Sequence, residues 1–284
     1  MIRMARSSSP IATLARLRRT LILFTYTDFK TILLPVFTFA SITAPVSSTR
    51  NGIIAGIWIW VHLLQCNVSN QCNSAVEDRI NHPWRPIPAG LISESNAHIL
   101  RWALAILCPC FSSIFGFPTV LSSMLMTTTM ILYDNFNFAG HWASKNLCSF
   151  FAYLCFEVGA VMIMGNVRHL DAVALRALVS SGLVILSTIH IQDFADGNIS
   201  YCRPTASRIL TCVLIPFWSI YNASAWGIGI WSSFIFYCVG FVVAWRIYFF
   251  RTMHEDRNSY VAYNVWLMIL HLLPANARWR VFSS

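Results

Sequence analysis

Nine apolar runs follow one another along this chain, near residues 21–44, 51–66, 97–117, 119–138, 147–165, 172–190, 208–225, 229–249 and 260–273. An apolar stretch of about 20 residues crosses the hydrocarbon of a bilayer as a helix, because only there are all its backbone polar groups satisfied within the segment. The second and ninth runs are the short ones. With 56% hydrophobic and only 11% charged residues, a water-soluble fold would be left with large exposed apolar patches. The pattern predicts an all-α polytopic membrane protein of about nine transmembrane helices. Residues 1–20 read as a basic cytoplasmic tail, and residues 21–284 as a single helical membrane domain.

The charges give the chain an orientation. Its net charge is +9. A basic balance of this kind follows from the lysine and arginine of cytoplasmic loops, so nucleic acid is not implied as a partner. With a cytoplasmic N-terminus, Arg50, Arg168, Arg176, Arg278 and Arg280 fall on the far side, and Lys30 falls inside the first run. The remaining fourteen of the 20 basic residues lie on the cytoplasmic side. The first twenty residues carry arginine and no acid, as a mitochondrial targeting segment also does. The cytoplasmic-tail reading is preferred, which predicts the endoplasmic reticulum rather than the mitochondrial inner membrane. The nine cysteines form no CxxC pair and lie mostly in apolar runs, as small reduced hydrophobes.

The acidic residues gather on the same face. After the second run comes Asn70-Gln71-Cys72-Asn73-Ser74-Ala75-Val76-Glu77-Asp78, then a tail, Pro83-Trp84-Arg85-Pro86-Ile87-Pro88-Ala89-Gly90. If the helix continues, Asn70, Ser74 and Glu77 or Asp78 share one side of it. Oxygen ligands on one side suit a hard cation such as Mg2+. The three prolines force the tail out of the helix and are predicted to hold Arg85 in a rigid loop beside the carboxylates. Taken alone, the Glu77–Asp78 pair reads as a solvated charge pair of an ordinary cytoplasmic loop.

After the sixth run comes His190-Ile191-Gln192-Asp193-Phe194-Ala195-Asp196. His190, Asp193 and Asp196 are spaced one helical turn apart. Acids at the C-terminal end of a span oppose the helix dipole, so they call for another partner. Two acidic patches at one membrane face, with arginine and lysine nearby, suggest a metal–diphosphate site. A bridging cation removes the repulsion between diphosphate and carboxylate and neutralises the charge of a departing diphosphate. Arg85, Lys145 and Arg203 are the candidates for direct contact with diphosphate oxygens.

The segment N-Q-C-N-S-A-V-E-D-R-I-N-H-P-W-R-P-I-P-A-G at 70–90 resembles the first signature of the UbiA superfamily of intramembrane prenyltransferases, usually NDxxDxxxD followed by N-K-P-x-R-P-x-P-x-G. The segment Q-D-F-A-D-G-N-I-S at 192–200 resembles the second, D-F-x-D-x-x-G-D. The pieces F-T-Y-T-D-F-K-T-I-L-L-P at 24–35 and H-W-A-S-K-N-L at 141–147 are similar to fungal members. The chain departs from the pattern at Gln71, Ser74 and Ser200, where aspartates are common. The N-Q-x-x-S-x-x-E-D form is closest to the membrane-bound terpene cyclases of that superfamily.

The resemblance implies helices arranged around a central cavity open to the cytosol. It implies a Mg2+ cofactor held by Asn70, Glu77, Asp78, Asp193 and Asp196, with Asp78, Asp193 and Asp196 as the catalytic carboxylates. It further implies release of diphosphate from a prenyl donor, farnesyl diphosphate above others, and closure of the resulting cation into a cyclic sesquiterpene. Transfer of the prenyl group to an aromatic acceptor is the competing activity, and a non-catalytic member of the same scaffold is a third alternative. The expected partners are the donor and the lipid bilayer; the sequence implies no protein partner.

Overall fold

The computed structural model describes residues 10–45, 48–195 and 204–282. They form helices α1 (Pro10–Thr25), α2 (Leu34–Thr43), α3 (Thr49–Asn73), α4 (Ala75–Asn81), α5 (Glu94–Ser112), α6 (Phe117–Asn135) and α7 (Trp142–Gly165). There follow α8 (Ala172–Thr188), α9 (Ile191–Ala195), α10 (Pro204–Ala225), α11 (Ile230–Phe249), α12 (Met253–Leu272) and α13 (Ala275–Trp279). No strand occurs among the described residues. Several starts are fixed by the side chain before the helix. The Ser48 and Ser93 hydroxyls each accept a backbone N–H at 3.2 Å, and the Asp171 carboxylate accepts one at 2.9 Å. Such caps satisfy donors that the first turn leaves open.

Each apolar run lies on a helix, but the boundaries differ in instructive ways. The second run is the core of a 25-residue helix, since Asn67, Ser69 and Gln71 continue it with polar side chains turned toward protein. The ninth grows likewise into the 20 residues of α12. Residues 10–20, read as a tail, are already helical in α1. The first run does not form one continuous α-helix. A 3-10 turn at Tyr26–Asp28 and a π turn at Phe29–Leu33 interrupt it, and Pro35 stands in the opening turn of α2. Proline removes a helical hydrogen bond, and within the interruption the Thr27 and Thr31 hydroxyls both donate to the Asp28 carboxylate at 3.1 Å. Among the described residues, five segments are long and apolar enough to cross a membrane by length and composition alone: Thr13–Thr43, Thr49–Asn73, Glu94–Phe115, Trp142–Gly165 and Ile230–Phe249.

Neighbours in sequence pack side by side. α3 lies against α5, α5 against α6, α6 against α7, α7 against α8, α10 against α11 and α11 against α12, and α12 returns to α2. α7 also packs on α2 and α3. Trp58, Phe156, Tyr263 and Trp266 are fully buried within this arrangement. The approach of α3 to α7 depends on Gly159, where an added Cβ would stand 2.2 Å from the Trp58 ring. Outward faces carry Ile106, Val213, Phe217, Phe234 and Phe241, all exposed. An apolar belt of this kind belongs in lipid, and the protein is an integral membrane protein.

The two ends of the bundle are held differently. At one end Arg278 pairs with Asp171 at 2.7 Å, and Asn276 donates to the Trp226 and Gly227 carbonyls at 3.0 and 2.9 Å. At the other end lie the acidic motifs.

Candidate functional site

The helix carrying the first motif breaks at Ser74. Its hydroxyl donates to the Asn70 carbonyl and to Asp78 Oδ2, both at 3.1 Å, so the kink itself aims the aspartate. Asp78 is buried, and its other oxygen accepts from Arg85 Nη1 at 2.6 Å. The proline-rich tail achieves this by burying Pro86 and Ile87 while leaving Arg85 turned to the carboxylate. Ile87 packs with Phe24, Leu64 and Val68. The turn ends at Gly90, whose φ of 67° suits a residue without Cβ. Arg16 donates to its carbonyl at 3.3 Å.

The other residues of this motif are not joined to Asp78 by their side chains. Asn70 is exposed and contributes its backbone carbonyl. Glu77 is exposed, with Asn81 donating to it at 3.4 Å. Gln71 is buried and points away, its Nε2 donating to the Phe24 carbonyl at 3.1 Å. Asn67 reaches the same carbonyl at 3.0 Å and Asp28 at 2.8 Å. These two amides brace the interrupted stretch between α1 and α2, a task that requires a donor and that a carboxylate cannot perform.

The second motif sits on a break as well. α8 ends at Thr188, and Asp193 falls in the first turn of α9. The expectation that this acid opposes a helix dipole is therefore corrected, since it stands at a start rather than an end. Asp193 is buried and accepts from Lys145 Nζ at the head of α7. His190 does not join it, because its Nε2 lies 2.7 Å from Thr211 Oγ1. Asp196 and Arg203 lie outside the described residues.

Two further polar groups at this end carry no recognisable motif. Asp134 on α6 accepts from Ser69 and lies 3.8 Å from Arg101. Arg208 holds Asp256 through two bonds of 2.7 and 2.6 Å and lies 4.3 Å from the centre of the Phe194 ring. Spacing would not have found either, because each ion-pair partner lies more than thirty residues away.

Two carboxylates, each neutralised by one cation, thus occupy the same end of the bundle. Among the described residues no hydrogen bond or ion pair joins Asp78 to Asp193, and no group of three acidic, histidine or cysteine side chains is close enough to form a metal cage alone. Mg2+ is commonly held by one or two carboxylates together with substrate phosphates and water. The donors here, Asp78 and Asp193 with the Ser74 hydroxyl, are hard oxygens and fit that mode.

Comparison with known proteins decides the family. Residues 32–271 match the model of the UbiA prenyltransferase family. The chain belongs to that family. It is an enzyme of the UbiA type, and its relatives include terpene cyclases. Fumagillin beta-trans-bergamotene synthase of Aspergillus fumigatus is 25% identical over 272 residues, covering 92% of this chain and 93% of that one. A diterpene cyclase of Hericium erinaceus is 26% identical over 184 residues, 61% of this chain and 57% of its own length. Among solved structures, a digeranylgeranylglyceryl phosphate synthase superposes with a TM-score of 0.67 at 15% identity, over 93% of this chain and 99% of that one. A UbiA homologue of Archaeoglobus fulgidus bound to DMAPP and Mg2+ gives 0.64 at 12% identity, over 92% and 99%. The last two likenesses establish the fold.

Proposed function

We propose that this UbiA-type enzyme is a Mg2+-dependent terpene cyclase that takes farnesyl diphosphate at its cytosolic face, in the endoplasmic reticulum membrane, and closes it into a cyclic sesquiterpene. The observation that carries this reading is the alignment with a bergamotene synthase over nearly the whole length of both chains. The departure of Gln71 from the transferase pattern agrees with it, since Gln71 has become a brace for α1 and α2.

In this reading Asp78, Asp193 and Asp196 hold the divalent cation, helped by Asn70 and Glu77. Bound there, it would neutralise the charge that gathers on the departing diphosphate. Arg85 and Lys145 rest on Asp78 and Asp193. They have the reach to exchange those carboxylates for phosphate oxygens, with Arg203 as a third donor. The bundle interior supplies the second half of the chemistry. A cation formed there must be kept from outside nucleophiles, which the water-poor bundle interior would do.

The test is diphosphate release from farnesyl diphosphate by purified protein. Asp78→Asn and Asp193→Asn are expected to lower it by roughly a hundredfold or more, the scale of losing one contact that stabilises developing charge. EDTA should abolish it, and added Mg2+ restore it. Full release by both folded variants would refute the assignment.

A further inference from the structure

Deep beneath the charged end lies a polar group that the proposed site does not use. Glu157 on α7, Ser181 on α8 and His271 on α12 are all buried at 1% exposure or less. The Ser181 hydroxyl donates to Glu157 Oε1 at 2.6 Å and lies 3.1 Å from His271 Nε2, which is itself 3.5 Å from that oxygen. The second carboxylate oxygen, Oε2, is buried and has no hydrogen-bond partner. Glu157 follows Lys145 by twelve residues of the same helix, which places it ~18 Å below the head of α7. Its surroundings are apolar: the Phe39 ring packs edge-on to His271 at 5.2 Å, and Phe156 and Leu270 are buried nearby in sequence and space.

Oε1 suffices to tie α7 to α8 and α12. It does not account for Oε2, since a buried carboxylate oxygen left without a donor is costly unless something else needs it. We propose that Glu157 is the base that ends the cyclisation, with Ser181 and His271 as its positioning residues. A cation formed by loss of diphosphate and confined to this interior has no water to capture. A C–H bond beside the cationic carbon breaks, its electron pair becomes the new C=C bond, and the proton passes to Oε2. Ser181, whose hydroxyl donates to Oε1, and His271, 3.1 Å from that hydroxyl, hold the carboxylate so that Oε2 is left to accept the proton. This inference rests on the cyclase reading above.

The experiment compares the product spectra of wild type and Glu157→Gln, both purified and supplied with Mg2+ and farnesyl diphosphate, by gas chromatography and mass spectrometry. Glu157→Gln keeps the shape and removes the base. It is expected to lower the share of the wild-type hydrocarbon among all products at least fivefold, in favour of double-bond isomers formed by proton loss elsewhere. Ser181→Ala, which removes only the hydroxyl from Oε1, should shift the spectrum the same way by about twofold, and it replaces the first variant if that one does not fold. An unchanged hydrocarbon share in the folded variant would overturn the role of Glu157 while leaving the cyclase reading intact. A wild type that forms no cyclic product would remove both.

Discussion

Gln71 shows how one side chain separates this chain from its family pattern. An aspartate is common at that position, but here the amide donates to the Phe24 carbonyl and holds the interrupted turn between α1 and α2. Returning it to aspartate should not recreate a metal ligand. Gln71→Asp would bury a carboxylate against a carbonyl, at a cost of about 1–3 kcal/mol for the lost donor, more for the added charge. A lower unfolding temperature in detergent, with no gain in turnover, is the expected result; equal stability with faster turnover would contradict it. The nearness of Arg85 to Asp78 was legible beforehand, because Pro83, Pro86 and Pro88 leave the chain no helical course. The Ser74 hydroxyl that aims Asp78 was legible only as a position on a helix face. Asp28 and Asp134 were not legible as partners of Asn67 and of Ser69, since a lone acid in sequence carries no mark of what it will meet.

The helices were easier to find than their ends. Apolar content marks a span, but it fails where a helix continues on hydrogen-bonded polar residues, as α3 does through Asn67, Ser69 and Gln71. It also fails where a run is broken from within, as between α1 and α2 or between Thr188 and Ile191. Nothing in hydropathy distinguishes a span that continues from one that turns. The close packing of α3 on α7 is likewise hidden, because a glycine in an apolar helix is unremarkable until Trp58 is found lying over it. Gly159→Ala is therefore expected to destabilise the fold by about 1–3 kcal/mol, the cost of overpacking a well-filled interior. Thermal unfolding in detergent measures this. A variant as stable as wild type would mean that the two helices do not approach as described.

At the scale of the whole molecule, the all-helical architecture and the family were legible in the order of apolar runs and in two short motifs. The number of crossings requires its own test, because among the described residues five segments meet the length and hydropathy of a span unaided. The bias of lysine and arginine predicts a cytosolic N-terminus, and nine crossings would put the C-terminus in the lumen. The sequon at Asn67 cannot report on this, because its amide is already engaged by Phe24 and Asp28 inside the bundle. An acceptor site on a spacer fused to the C-terminus should be glycosylated, and the same site fused to the N-terminus should not. The reverse pattern, or no glycan on either, would refute an odd number of crossings from the cytosol.

As the proposed cyclase, the enzyme needs no acceptor beyond the donor's own double bonds. Purified protein supplied with farnesyl diphosphate and Mg2+ alone, its products extracted and separated by gas chromatography and mass spectrometry, tests this most directly. A cyclic sesquiterpene formed at the rate of diphosphate release is the predicted result, since a cation held among its own alkenes closes faster than it meets an outside partner. Linear farnesol alone, with a prenylated product appearing only when a phenol or aromatic acid is added, would contradict it.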